Sequence, residues 1–204
     1  MALPAWREVA LPHEDIRRGR FDESTFAADL ADVLAGRGPL EYRDPLTFFR
    51  KTYPTKGMVR LLGAVVRRLS GEKGGEPVVQ IQTPFGGGKT HGLVALYHLF
   101  RSGEEARGTE LYARVLEEAG VERIPEAKVA VFVGTAADPL KGRTPWGELA
   151  LQLGHYGLLE EHDKARQAPG KERLYELFRA AGGPVLILMD EVAEYVARTV
   201  DPTA

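Results

Sequence analysis

TPFGGGKT, residues 83–90, lies between the apolar run Pro77 to Thr83 (PVVQIQT) and a stretch in which Leu93, Leu96, Tyr97 and Phe100 recur at spacings of three and four. The run has strand length and β-branched content, and the recurrence is one apolar helix face, so the octapeptide joins a strand to a helix. Gly86, Gly87 and Gly88 lack Cβ atoms. The backbone can therefore reach positive φ and turn successive N–H groups into one concavity that holds phosphate oxygens. The helix N-terminus adds partial positive charge at the same place. Lys89 would bring a full charge to the β and γ phosphates, and the Thr90 hydroxyl is positioned to coordinate Mg. The pattern G-x-x-x-x-G-K-[ST] is met except at its first glycine, where Thr83 stands. A glycine-rich turn with an exposed lysine is the plain alternative for the loop taken alone.

Further along, Pro184 to Glu191 (PVLILMDE) is an apolar strand that ends in two adjacent carboxylates. Acids of this kind are not core residues without partners, and they mark the strand's C-terminal edge, where open parallel sheets bind ligands. Asp190 would hold Mg through its water shell, and Glu191 would polarise an attacking water. Alone, the pair could be an ordinary solvated strand end. A phosphate-type loop and an acidic strand end in this order on successive elements instead point to one nucleotide site. The backbone N–H groups of Gly87, Gly88, Lys89 and Thr90 should converge on it, with Asp190 across from Thr90. No asparagine occurs anywhere, so the N-K-x-D motif that recognises guanine is missing and ATP is expected over GTP.

A third apolar run, Lys128 to Thr135, separates these two, and helical patterns at about 89–102, 105–119, 145–161 and 171–181 alternate with the strands. Thr144 and Pro145 suit the N-cap and first turn of the third helix. Alternation of this kind predicts an α/β fold with a parallel sheet flanked by helices, and the loop together with the adjacent acid pair makes part of an ASCE-like P-loop NTPase core the expectation. Gly57 to Ser70 is an amphipathic helix, with Met58, Leu61, Leu62, Val65, Val66 and Leu69 on one face. Residues 1–56 read as a separate lead-in, broken by Pro12, Pro39, Pro45 and Pro54, with one short helix near 23–35; residues 57–204 read as the core.

Composition narrows the function classes. In 204 residues, 44% hydrophobic and 27% charged, there is enough apolar content for a packed domain. A formal net charge of −2 gives no overall field favouring nucleic acid or an anionic membrane. The absence of cysteine removes disulfides, thiolate metal sites and cysteine nucleophiles. With no apolar run near the length of a signal sequence or membrane span, the expectation is a cytoplasmic protein without membrane contact. His91 and His98 stand seven residues apart on one helix, too far to share a metal ion, and read as packing or surface residues. Arg17, Arg18 and Arg20 are flanked by acids and read as a solvated segment. Phe48, Phe49 and Tyr53 could contact adenine, although core packing against the 57–70 helix is the plainer role. Thr135 could approach a γ-phosphate, or simply end its strand.

The segments WREVALPHEDIRRGRFDESTFAADL, YRDPLTFFRKTYPTKG, IQTPFGGGKTHGLVALYHLF, TPWGELALQLG and LILMDEVAEY together resemble the prokaryotic domain of unknown function 499, a family of predicted AAA-type ATPases. The resemblance runs from about Trp6 to Tyr195, and that family writes its phosphate loop TPFGGGKTH, with threonine in the first glycine position. It implies Gly86, Gly87, Gly88, Lys89 and Thr90 as ATP and Mg positions, and Asp190 and Glu191 as Mg and water positions. It also implies ATP hydrolysis as the motor or switch of a longer protein, homo-oligomeric assembly, and DNA or phage-defence proteins as partners. On that footing the chain is expected to be an N-terminal piece whose remaining strands, sensor residue and arginine finger lie beyond Ala204. Its own ATPase activity should then be weak. A P-loop kinase and a non-hydrolysing ATP-binding scaffold or sensor are the alternatives. The first lacks a recognisable lid here, and the second has no chemical need of Lys89, Thr90, Asp190 and Glu191 together.

Overall fold

The computed structural model describes residues 5, 9–19, 28–71, 76–82 and 86–200. The lead-in contains more helix than its prolines suggest: α1 (Glu14–Arg17), α2 (Leu30–Leu34), α3 (Leu40–Arg43) and α4 (Pro45–Lys51). The expected helix near 23–35 is present as α2, and residues 23–27 lie outside the described residues. Pro39 and Pro45 do not break these helices; they start them. Pro39 is the N-cap of α3, and Pro45 is a first-turn residue of α4 behind Asp44, whose carboxylate accepts from Thr47 N at 2.8 Å. A proline there loses no helical hydrogen bond, because the first N–H groups of a helix have no partner within it.

Next come α5 (Lys56–Leu69), α6 (Lys89–Ser102), a 3-10 turn at Gly103–Ala106 and α7 (Glu110–Ala119). Of the α5 face read from the sequence, Leu62 and Val66 are in the core and Met58, Leu61, Val65 and Leu69 are partly buried, while Val59, outside that face, is also in the core. Against α7 the helix comes close enough that a Cβ on Gly63 would strike the Glu118 side chain. The helix predicted over 105–119 is divided at Gly108, which has φ 88, and restarts with Thr109 as N-cap.

β1 (Lys128–Val133) and β2 (Val185–Asp190) form a parallel pair with Val131 opposite Leu188. Between them in sequence lie α8 (Pro145–Gln152), a 3-10 turn at Tyr156–Leu158, α9 (Glu160–Lys164) and α10 (Lys171–Ala181); α11 (Val192–Val200) follows. Thr144 caps α8 by accepting from Gly147 N, as predicted. The single helix expected over 145–161 ends at Gln152, since Gly154 adopts φ 82 and turns the chain. Two apolar clusters sandwich the sheet. Val131, Val133, Leu186 and Leu188 join α2, α4, α5, α6 and α7 on one face, and Ala130 joins α8 and α10 on the other. The architecture is α/β, with helices on both faces of a small parallel sheet.

The predicted first strand is the principal correction. Residues 76–82 carry no strand, and Val78 and Val79 are 76% and 50% exposed. Only Ile81 packs against the core, near Gly92 of α6. A strand is completed by a neighbour's hydrogen bonds, and among the described residues none pairs with this segment.

Candidate functional site

The residues that the sequence offers as two halves of a site lie at the start of α6 and at the end of β2. The first is the start of α6. Gly86 and Gly88 both have φ 77, the left-handed conformation that glycine alone adopts freely, and Gly88 is the N-cap. Lys89 and Thr90, half-buried, form the first turn. Side chains of Thr55, Thr109 and Thr144 cap α5, α7 and α8, and α10 carries Glu172 in its first turn. α6 has neither a capping side chain nor a first-turn acid. Among the described residues no side chain caps its positive end, and the hydroxyl of its first turn is that of Thr90. Thr83 to Phe85 lie outside the described residues, so the full wrap of the loop does too.

The second half-site is the end of β2. Asp190 is 8% exposed, and its Oδ1 accepts from Glu191 N at 3.1 Å. Glu191 is exposed and has φ 49, a left-handed value that costs a residue with a Cβ about 1–2 kcal/mol. Such strain persists where surrounding structure fixes it, and here the fixing parts are visible. Gly134, just past β1, donates to the Asp190 carbonyl at 2.8 Å. The Glu191 carbonyl accepts from Glu194 N at 3.1 Å as α11 begins. α6 packs against both strands, which sets the loop and the acids on one layered unit.

A model of the DUF499 N-terminal domain matches residues 8–202. The chain belongs to that family. No curated protein and no solved structure matches it.

In this DUF499 domain the support behind the site comes from residues the sequence did not single out. Arg166, itself at φ 53, donates from its guanidinium to the carbonyls of Pro139, Leu140 and Gly142 and to the Tyr195 hydroxyl. It thereby ties the loop after β1 to α11. Arg198 donates to the Gly134 carbonyl and pairs with Glu194 at 3.7 Å. Asp163 is buried beneath α8 and accepts from Thr144 N, Thr144 Oγ1 and Tyr156 Oη. Burial by itself would raise the Asp163 carboxyl, but the Thr144 and Tyr156 hydrogen bonds outweigh it and hold the pKa below the ordinary value. No local motif marks the Arg166, Arg198–Gly134 and Asp163–Thr144 contacts, because each joins residues 19 or more apart in sequence.

Of the remaining candidates, Phe48, Phe49, His91 and His98 fall on the packing side. Phe48 and Phe49 are buried, with the Phe48 ring 4.7 Å from that of His91 and 5.4 Å from that of His98. His91 Nε2 lies 3.0 Å from Thr52 Oγ1, and His98 Nε2 lies 2.6 Å from the Tyr42 carbonyl oxygen. Burial lowers the pKa of both histidines. Among the described residues no group of acids, histidines and cysteines is arranged as a metal site by itself. Tyr53 is exposed and lines a cleft of about 410 Å³ together with Arg50, Pro54 and Thr109; no residue of 86–90 or 190–191 lines it. Thr135 is exposed beyond the end of β1. No helix among the described residues is long and apolar enough to cross a membrane.

Proposed function

We propose that this domain binds ATP with Mg and hydrolyses it, in a P-loop NTPase core of the AAA type. The observation that carries the reading is the start of α6, with Gly88 as its N-cap and Gly86 and Gly88 at positive φ ahead of Lys89 and Thr90, on the same unit as the Asp190 and Glu191 pair. The donor set suits the ligand. Backbone N–H groups at Gly87 to Thr90 and the Lys89 ammonium suit phosphate oxygens, while the Thr90 hydroxyl and the Asp190 carboxylate are hard oxygen donors of the kind Mg selects.

Bound Mg would neutralise charge that develops on the phosphates. The chain's own residues do the remainder. Gly86 and Gly88 let the backbone approach the phosphates, and Lys89 binds the β and γ oxygens. Asp190 fixes Mg waters from the end of β2. Glu191 orients water toward the γ-phosphorus and takes its proton. Phosphate release then changes what the loop and β2 hold, and that difference is available to drive other parts of the protein, with DNA among the partners the family resemblance implies.

Lys89→Ala should weaken nucleotide binding about tenfold or more, and Glu191→Gln should leave binding intact while slowing phosphate release by about 10²-fold or more. Fluorescent-nucleotide titration and a phosphate-release assay, with and without DNA, measure the two effects. Undiminished binding in the first variant or undiminished release in the second removes the assignment.

A further inference from the structure

Glu191 is held in its left-handed conformation from three sides. Its N–H meets the Asp190 carboxylate, its carbonyl starts the hydrogen bonding of α11, and that same carbonyl rests against the Cα of Gly134. The last contact leaves no room for a side chain. A Cβ on Gly134 would overlap the Glu191 carbonyl oxygen and stand 2.7 Å from the Glu191 carbonyl carbon and 3.1 Å from Tyr195 Cβ. All but the smallest residue would therefore push the Glu191 peptide away from β1. Gly134 is in turn fixed at both ends, by its own N–H on the Asp190 carbonyl and by the Arg198 guanidinium on its carbonyl.

We infer that Gly134 is a positioning residue for Glu191, with Arg198 as the clamp that seats it; the inference rests on the hydrolytic reading of Glu191. The contacts described for Gly134 are with Asp190, Glu191, Tyr195 and Arg198, and in the proposed scheme it does not touch the nucleotide. What it sets is the path of the β2–α11 turn, and hence the direction in which the Glu191 carboxylate leaves the backbone. In a water-activating role that direction decides whether the carboxylate reaches the attacking water, and displacement of the order of 1 Å costs about 10²-fold in rate. Nucleotide affinity resides at the start of α6 and should be insensitive to it. The consequence is a split between binding and turnover that general damage to the fold would not produce.

The experiment uses the natural full-length protein with Mg-ATP, comparing the unsubstituted protein with Gly134→Ala, Arg198→Met, Glu191→Gln and the double variant of Gly134→Ala with Glu191→Gln. Gly134→Ala should release phosphate about tenfold or more slowly, with nucleotide Kd changed by less than about threefold. Amide hydrogen exchange at Glu194 and Tyr195, whose N–H groups bond the Glu191 carbonyl, should accelerate while exchange in α6 stays the same. Arg198→Met introduces no clash and covers the case in which alanine prevents folding; it should slow release about three- to tenfold at unchanged Kd. The double variant should be no slower than Glu191→Gln alone, because both changes act through one carboxylate. Release from Gly134→Ala and Arg198→Met within about twofold of the unsubstituted protein, with Glu191→Gln inactive, overturns this inference and leaves the hydrolytic reading standing. Full release from Glu191→Gln, or none from the unsubstituted protein, overturns the hydrolytic reading and the inference with it.

Discussion

Residues 77–82 and residues 185–190 are both short apolar runs leading into a candidate ligand-binding turn, yet one lies bare and the other is built into the centre of the molecule. β2 has β1 beside it and a helical layer on each face. β1 is further closed along its outer edge by Gln152, whose side-chain amide accepts from Val131 N and donates to Val131 O, each at 2.8 Å. That side chain substitutes for a neighbouring strand. Nothing comparable meets residues 77–82 among the described residues, and Val78 stays in water. The difference teaches that apolar, β-branched composition gives a segment only the capacity for strand; the backbone takes that form where another edge satisfies its hydrogen bonds.

The comparison breaks first at its buried side. Phe132→Ala, which empties a site packed edge-on against the Tyr195 ring at 5.2 Å, should cost about 3–5 kcal/mol in urea unfolding. A loss under about 1 kcal/mol would mean that the strand pair is not the rigid half. Gln152→Ala tests the edge closure. Two bonds to Val131 disappear, and stability should fall by about 1–3 kcal/mol, with more self-association as the β1 edge opens. Light scattering alongside the melt would separate the two effects.

The support of α6 can be read by pH. Burial holds His91 and His98 below the ordinary 6.5, so the unfolded chain takes up protons first as pH falls. Their contribution is fully present above pH 6.5 and is lost as pH falls from 6.5 toward the folded values. The urea midpoint should decline across that window, and His98→Gln should flatten the decline. A midpoint with the same slope in both proteins would show that His98 is not the group responsible. The smallest effect belongs to the bare segment: Val78→Ser should change stability by less than about 0.5 kcal/mol, and a larger loss would mean that 77–82 is docked in solution.

Much of the layered plan was legible before any coordinates. The α5 face, the bounds of α6 and α10, the Thr144 cap and the positions of β1 and β2 all follow from periodicity and local capping chemistry. Boundaries failed where one glycine decided them, as at Gly108 and Gly154, because a single left-handed residue ends a helix inside an otherwise continuous pattern. In the lead-in, Pro39 and Pro45, read as breaks, are helix starts, since the same residue type serves both roles.

The candidate site divides along the same line. Lys89, Thr90, Asp190 and Glu191 stand out in sequence as candidates because a glycine-rich loop followed by Lys-Thr and an apolar run ending in two acids are short, local patterns. The strained φ of Glu191, the close approach of Gly134 and the Arg166 and Arg198 contacts are not, since each depends on which elements lie side by side. The sequence by itself determined helices such as α5, α6 and α10 and singled out the candidate residues, because helical hydrogen bonds close within one segment and motif patterns are local. Only the tertiary structure decided which apolar runs become strands and how Glu191 is held, because both require groups supplied from far along the chain.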